Sequence, residues 1–192
     1  MKLILAVGFL LAFATGVNAQ KQRTQTYLPK IAIKTNALYW ATSTPNLGLE
    51  IGLAKKLTLD ISGNYNPWKF SDNKQFKHWL VQPELRYWLC ECFNGSFFGL
   101  HGHYADADIS NLDMFGLGHD RYDGKIYGAG ISYGYQWILK KRWSMEATIG
   151  VGYAHIKYDK YEPGDDGRKI DHNTKDYFGP TKIGLSFIYT FK

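Results

Sequence analysis

Apolar and polar residues alternate with a period of two through most of this chain, and this pattern limits what it can fold into. From Tyr127 to Trp137 every odd position is aromatic or aliphatic, whereas the even positions are Gly, Ser or Gln. Successive side chains of a β-strand point to opposite faces, so the pattern predicts a strand with one apolar and one polar face. The same alternation occurs in segments that begin at Leu47, Leu57, Trp79, Trp143 and Ile183, and more weakly over Ile31–Tyr39 and Phe98–Tyr104. Eight strands are therefore predicted.

The first 19 residues are of a different kind. Lys2 is followed by the apolar run Leu3–Val17 and then by the small residue Ala19. This order predicts a secretory signal peptide over residues 1–19, which leaves residues 20–192 as one barrel domain. A membrane-anchoring helix is the alternative, but the run is shorter than the roughly 20 residues that a span needs. No later apolar run reaches that length, so the pattern favours either a soluble periplasmic protein or an outer-membrane β-barrel.

The polar face of the predicted strands is unusual for a protein in water. It carries mainly Gly, Ser and Thr with a few charges of both signs, whereas the solvent face of a soluble sheet is usually richer in charged and polar residues. Small residues with isolated charges fit the crowded interior of a narrow eight-stranded barrel, in which buried charges must pair. We predict a charge network in the lumen formed by Lys34, Glu50, Asp60, Glu84, Arg86, Glu146 and Lys182.

The connections between strands indicate the orientation of such a barrel. Short links alternate with the long polar segments 68–77, 105–125 and 157–178, which are rich in Gly and Asp. Outer-membrane barrels have short periplasmic turns and long extracellular loops. We therefore expect the long loops outside the cell and both termini in the periplasm.

Aromatic residues near the predicted strand ends indicate which face meets lipid. Two aromatic girdles that flank an aliphatic band are typical of transmembrane barrels. The predicted girdle residues are Trp40, Trp68 and Trp79 at the loop ends, and Tyr87, Tyr135, Trp137, Trp143, Tyr189 and Phe191 at the turn ends. The predicted fold is thus an all-β, eight-stranded antiparallel up-and-down transmembrane β-barrel in the outer membrane. A soluble lipocalin-like barrel with its apolar face inward is the alternative.

Several short motifs stand out in the first half of the chain. They are Lys34-Thr35-Asn36, Leu38-Tyr39-Trp40, Thr44-Pro45-Asn46, Asn66-Pro67-Trp68 and the run Lys77–Trp88. With these motifs the chain resembles an uncharacterised Bacteroidetes outer-membrane family, catalogued as a domain of unknown function and similar in architecture to the OmpA-like eight-stranded barrels. Some relatives lie near fimbrial assembly genes, so the resemblance implies a surface or fimbrial protein as partner. It implies no enzymatic activity.

Two clusters of residues could bind a metal ion. His101 and His103 share the polar face of one predicted strand, and Asp106 follows, a combination that can bind zinc or copper. Polar filling of the lumen explains the same histidines. The second cluster is in the last long loop and consists of Glu162, Asp165, Asp166, Gly167 and Asp171. These residues could bind calcium, or they could simply form turns.

The only cysteines, Cys90 and Cys92, lie in a predicted turn. A disulfide between residues two apart would be strained. Inert or intermolecular thiols are one interpretation, and redox exchange at a periplasmic turn is the other.

The net charge of +6 first suggests nucleic acid or an anionic membrane as partner. On the predicted topology, most of the basic excess falls on the turn side of the barrel, so we expect no nucleic acid. The expected partners are outer-membrane lipid and, because the last strand ends in alternating aromatics up to Phe191, the barrel-insertion machinery.

The function that we expect is non-enzymatic and needs no cofactor. It is that of a membrane scaffold, or of an adhesion-type protein that binds through its outer loops. The alternative is a lipid-modifying enzyme of the lipid A deacylase or acyltransferase type, with its active site at the outer rim. The candidate catalytic residues for that alternative are Ser71, Asp72, His78, His155 and His172.

Overall fold

The computed structural model of the protein describes residues 31–67, 75–110, 121–161 and 169–191. Within them the chain forms eight strands and one short helix. Their bounds are β1 (Ile31–Asn36), α1 (Ala37–Ala41), β2 (Asn46–Ala54), β3 (Leu57–Asn66), β4 (Gln75–Trp88), β5 (Gly95–Ser110), β6 (Arg121–Lys140), β7 (Trp143–Tyr161) and β8 (Lys169–Phe191). The predicted signal peptide, residues 1–19, lies outside the described residues, as do Trp68, Ser71 and Asp72.

The strands form one closed sheet in chain order. Each strand is antiparallel to the next, and β1 pairs with β8 from Ile31 opposite Phe191 to Asn36 opposite Ser186. The predicted all-β, eight-stranded, up-and-down antiparallel fold is confirmed. No helix in the described ranges is long and apolar enough to cross a membrane. We call the end with the short β2–β3, β4–β5 and β6–β7 connections the turn end, and the opposite end the loop end.

The first predicted strand is shorter than expected. Alternation over residues 31–39 predicted a strand, but β1 ends at Asn36 and a single helical turn, α1, follows. The Asn36 side chain accepts a hydrogen bond from the Leu38 N–H at 3.1 Å, which caps this turn. Trp40, predicted at the loop end of a strand, therefore lies in α1.

Strands on one side of the barrel are much longer than on the other. β6, β7 and β8 have 20, 19 and 23 residues, whereas β1, β2 and β3 have 6, 9 and 10. The described ends of the predicted loops 105–125 and 157–178 are strand and not loop, because pairing continues to Ser110–Arg121 and to Tyr161–Lys169. Their polar sequence suggested loops, yet antiparallel strands satisfy each other's backbone groups even where both faces meet solvent. Residues 111–120 and 162–168 lie outside the described residues, as do residues 68–74 of the predicted loop 68–77.

A β-bulge marks where this extension begins. Gly150 pairs with Lys182, but the next β7 residue, Val151, pairs with Pro180. Proline has no N–H to donate, so bulges and edge strands are where it is tolerated in a sheet. Beyond the bulge, residues 170–178 of β8 are exposed on both faces. We call residues 152–161 of β7 and 169–179 of β8, on the loop-end side of this bulge, the strand extension.

Candidate functional site

The barrel interior holds a compact ion-pair network around Arg86. The Arg86 guanidinium contacts Glu84 at 2.6 Å, Glu146 at 2.8 Å, and Glu50 and Asp60 each at 2.9 Å. The Arg86 side chain is 1% exposed and its four partners are equally buried. Five N–H donors in a fixed fork suit guanidinium to a site with several carboxylates. Four strands, β2, β3, β4 and β7, are tied together through this one side chain.

Two lysines complete the network. The Lys34 ammonium lies 2.6 Å from Glu50 and 3.3 Å from Asp60. The Lys182 ammonium lies 2.9 Å from Glu84. All seven residues predicted to line the lumen therefore point inward and are in contact with one another. Four of them are carboxylates and three are cations, so the network carries a formal charge of −1.

Hydroxyl groups supply further hydrogen bonds to the carboxylates. The Thr58 hydroxyl donates to Glu50 at 2.6 Å and the Thr148 hydroxyl donates to Glu146 at 2.8 Å. Ser132 donates to Glu84. Removing charges from water is costly, and these bonds offset part of that cost by occupying oxygen lone pairs that the cations leave free. The Ser and Thr residues of the polar face thus belong to the network.

Glycine makes room for the network at one point. A Cβ on Gly99 would collide with the Glu84 carboxylate and the Ser132 hydroxyl. The small residues on the inner face are therefore a consequence of filling a narrow barrel with long charged side chains.

An apolar plug closes the barrel below the network, toward the turn end. Trp88 and Phe97 are fully buried with ring centroids 4.8 Å apart, and Phe93 packs against Trp88 at 5.9 Å. Ile188 is also fully buried in this cluster. We call Trp88, Phe93, Phe97 and Ile188 the plug. The sequence pattern did not predict it, because Trp88, Phe97 and Ile188 occupy polar-face positions and Phe93 lies in a turn, outside any strand. The signal that was available is that Trp88 is on the same face of β4 as Glu84 and Arg86.

The plug and the network are directly connected. The Trp88 indole donates to the Thr58 hydroxyl at 2.9 Å, and Thr58 in turn donates to Glu50. The Arg86 guanidinium carbon lies 4.4 Å from the centre of the Phe97 ring, which is cation–π geometry. The two layers therefore stabilise each other.

The β4–β5 turn is folded against the mouth of the barrel at the turn end. Phe93 has φ +64°, a conformation that bulky residues rarely adopt, and its side chain is directed inward. The Cys92 N–H donates to the Lys55 carbonyl at 3.0 Å, and its thiol donates to the Ala54 carbonyl at 2.9 Å. The turn is thus docked on the β2–β3 turn, which holds Phe93 in place.

The two cysteines differ in environment and are not bonded to each other. Cys90 is exposed and Cys92 is buried, both as free thiols. Burial raises the pKa of the Cys92 thiol to about 11. Because the thiolate is the reactive form, this position makes Cys92 a poor nucleophile.

Above the network, toward the loop end, the interior narrows to a small polar cavity. Its volume is about 30 Å³, and its lining includes Asn36, Asn46, Asn64, Gln82 and Lys182. The structure thus shows a barrel filled by polar side chains in its middle and by apolar ones at the turn end.

The predicted metal-binding residues are not brought together. His101 and His103 point inward with ring centroids 6.0 Å apart, and the Nε2 of His101 is 2.9 Å from the Thr181 hydroxyl. Strand alternation places Asp106 on the outer face, opposite to His103. Among the described residues there is no group of three or more His, Cys, Asp or Glu side chains that could hold a metal ion.

The predicted calcium-binding residues are only partly described. Asp171 accepts hydrogen bonds from the His172 N–H at 2.8 Å and from the Asn173 amide at 2.7 Å. Residues 162–167 lie outside the described residues.

The histidines proposed for catalysis are separated between the two faces of the sheet. His155 Nδ1 lies 2.6 Å from Asp176, which also accepts a hydrogen bond from Tyr153 at 2.6 Å. His172 pairs similarly with Asp159. These pairs lie on the outer face of the strand extension, whereas His78 occupies an inward-facing position on β4.

The predicted girdle residues within the described ranges lie on the outer face of the barrel. Several pack against an aromatic neighbour in tilted or edge-on geometry, with ring centroids 5.3 Å apart for Trp79 and Tyr104, 4.9 Å for Tyr135 and Trp137, and 5.1 Å for Trp143 and Tyr189. Between the two ends, the outer face carries exposed aliphatic side chains that include Leu47, Leu100, Ile131, Ile149 and Ile183. The molecule is apolar outside and charged inside.

Closed strand order, an interior ion-pair network and an apolar exterior define a filled eight-stranded β-barrel. The chain belongs to the family described as Protein of unknown function (DUF3575), whose match covers residues 5–191. No curated protein matches the chain, and no solved structure matches it.

Proposed function

We propose that this protein is an integral outer-membrane barrel without a conducting pore, which acts as a non-enzymatic scaffold or binding protein. The observation that carries the proposal is the inverted polarity of the barrel. Large exposed apolar surfaces on a protein mark contact with lipid or with another protein. Here the apolar side chains surround the whole barrel, and the outer leaflet and inner leaflet of a bilayer would cover them on all sides.

The filled interior favours a scaffold over a porin. Eight-stranded barrels have interiors that side chains can fill, whereas porins use larger barrels with an aqueous channel. The Arg86 network and the plug follow one another along the barrel axis. A solute would have to displace both layers to pass.

The strand extension supports a binding role at the loop end. A membrane-crossing strand needs about 9–11 residues, and β8 has 23. The remainder would stand outside the bilayer, where a sheet with polar residues on both faces can contact another protein. We propose a surface or fimbrial protein as the partner at this end. For the whole protein we propose a Bacteroidetes origin and an OmpA-like membrane topology.

Fractionation and gel mobility test the membrane assignment. We expect the protein in the outer-membrane fraction. On a gel, the unheated and the boiled samples should differ in mobility, because the barrel stays folded in detergent until it is heated. In planar bilayers the purified barrel should give no steady conductance. Recovery as a soluble periplasmic protein would contradict the proposal.

The lipid-modifying enzyme is the second candidate, and the His155–Asp176 pair is the observation that favours it. A histidine oriented by a carboxylate can act as a general base. Mass spectrometry of lipid A from cells with His155→Ala or with the gene deleted tests this function. An unchanged lipid A profile in both strains would exclude it.

A further inference from the structure

The outer surface of the barrel carries a groove near the loop end. The groove is shallow and open on its outer side, with a volume of about 370 Å³. Trp40 of α1, Tyr65 of β3 and Trp79 of β4 form its walls, and Gly63 of β3 lies between them. None of the ten residues that line the groove is charged.

Gly63 creates this groove without being required by the backbone. It lies between Leu47 on β2 and Val81 on β4, both with large outward side chains. A Cβ at Gly63 would meet only the Leu80 carbonyl oxygen, at 3.9 Å, which is ordinary contact. At the interior Gly128, by contrast, a Cβ would collide with the backbone of β7. The missing side chain at Gly63 therefore leaves space on the surface that packing does not demand.

The walls of the groove are held in position. The Trp40 indole donates to the Thr35 hydroxyl at 2.7 Å, and Trp79 packs against Tyr104. The Tyr65 N–H donates to the Pro45 carbonyl at 3.0 Å. A site whose walls are already fixed loses little conformational entropy when it is occupied.

We propose that this groove binds one acyl chain of a membrane lipid, an inference that rests on the proposed membrane location. Leu49 and Ile61 are exposed residues of the aliphatic band, and they lie two positions along β2 and β3 from Leu47 and Gly63 of the groove. A chain lying in the bilayer can therefore enter the groove sideways. Its aromatic walls stand at the loop end, where the girdle meets the lipid headgroups. Between lipid and groove there is no net hydrophobic gain, so close packing against the Trp and Tyr rings provides the binding energy.

A glycine pair provides the test. Gly63→Leu fills the groove, and Gly102→Leu is the matched control because Gly102 also faces outward on β5 with its nearest atom 3.8 Å from a Cβ. Each barrel is inserted into vesicles of phosphatidylethanolamine and phosphatidylglycerol, extracted in mild detergent and examined by native mass spectrometry. We expect wild type and Gly102→Leu to retain a single lipid. Retention in Gly63→Leu should fall to about a tenth or less, because the Leu side chain occupies the chain's space.

Trp40→Ala serves as a second variant, since it removes one exposed wall without filling the groove. It should also weaken retention while the barrel still shows its folded gel mobility. Equal lipid retention by wild type and Gly63→Leu, with both inserted, would overturn the groove proposal alone. A bound second copy of the chain in place of the lipid would overturn it as well. Failure of wild type to insert into vesicles would overturn the membrane assignment and the groove together.

Discussion

Arg86 is the residue on which the interior most depends, because it contacts four carboxylates from four strands. Removing one partner of a buried ion pair is far more costly than replacing both, since it leaves the other charge unpaired in a medium of low dielectric constant. Loss of Glu84 would in turn leave the Lys182 ammonium without a close partner, because its next carboxylate, Asp60, lies 4.0 Å away. The stability of the barrel therefore depends on whether each buried charge of the network keeps a partner of opposite sign.

We predict that Arg86→Met lowers the free energy of unfolding by about 3–5 kcal/mol. Four carboxylates would remain with only the Lys34 and Lys182 ammonium groups. Urea titration of the barrel in vesicles, followed by heat-dependent gel mobility, measures the effect. Lys55→Met, at an exposed turn position, is the control and should leave the titration unchanged. If the two variants unfold at the same urea concentration, the interior is solvated and the network has no stabilising role.

At the scale of the element, the β4–β5 turn does more than connect two strands. Its backbone docks on the β2–β3 turn, and Phe93 is inserted beneath Trp88 in a left-handed conformation. A bulky residue with positive φ costs free energy that the surrounding contacts must offset. The turn thereby closes the barrel at the turn end with side chains that ordinary strand alternation could not provide.

Phe93→Ala tests the plug as a separate layer. We expect a loss of about 3 kcal/mol or more in unfolding free energy, because a buried aromatic ring is deleted. The variant should still not conduct ions in planar bilayers, since the Arg86 network remains across the lumen. The control is Phe98→Ala. Phe98 follows the plug residue Phe97 on β5 but faces outward with 54% exposure, so its loss should cost less unfolding free energy. Steady conductance by Phe93→Ala would mean that the plug is the sole barrier.

At the scale of the whole molecule, the barrel has two regions with different surroundings. Around the closed ring, the outer face is aliphatic between aromatic ends. The strand extension carries polar and charged residues on both faces, among which Ile170, Tyr177 and Phe178 are also exposed. The bulge opposite Pro180 separates the two regions on β7 and β8. The closed ring, with its aliphatic outer face, is suited to a hydrophobic environment. The strand extension is suited to contact with water.

Substitution of one residue on the aliphatic outer face tests this division. Ile131 is 63% exposed in the aliphatic band, and Ile131→Lys should destabilise the barrel in vesicles by about 2–4 kcal/mol, because it places a charge in the hydrocarbon layer. Thr174→Lys, in the strand extension, should have almost no effect. Urea titration in vesicles compares them. Equal stability of Ile131→Lys and wild type would place that face in water.

Alternation of residues by itself determined the fold class and the two faces of each strand. A period of two is a local property that each strand carries in its own sequence, so Lys34, Glu84 and Lys182 could be assigned to one face without knowing their partners. Local pattern also had limits. It predicted a strand through Tyr39 where Asn36 begins a helical turn, and loops where β7 and β8 continue to pair.

Only the tertiary structure decided which groups meet. Arg86 contacts Glu146, 60 residues away, and no spacing along the chain specifies that contact. It depends on strand register and on ring closure, which bring distant positions of several strands to one level of the lumen. The plug and the Gly63 groove arise in the same way, because a gap or a filled interior exists only once neighbouring strands stand side by side.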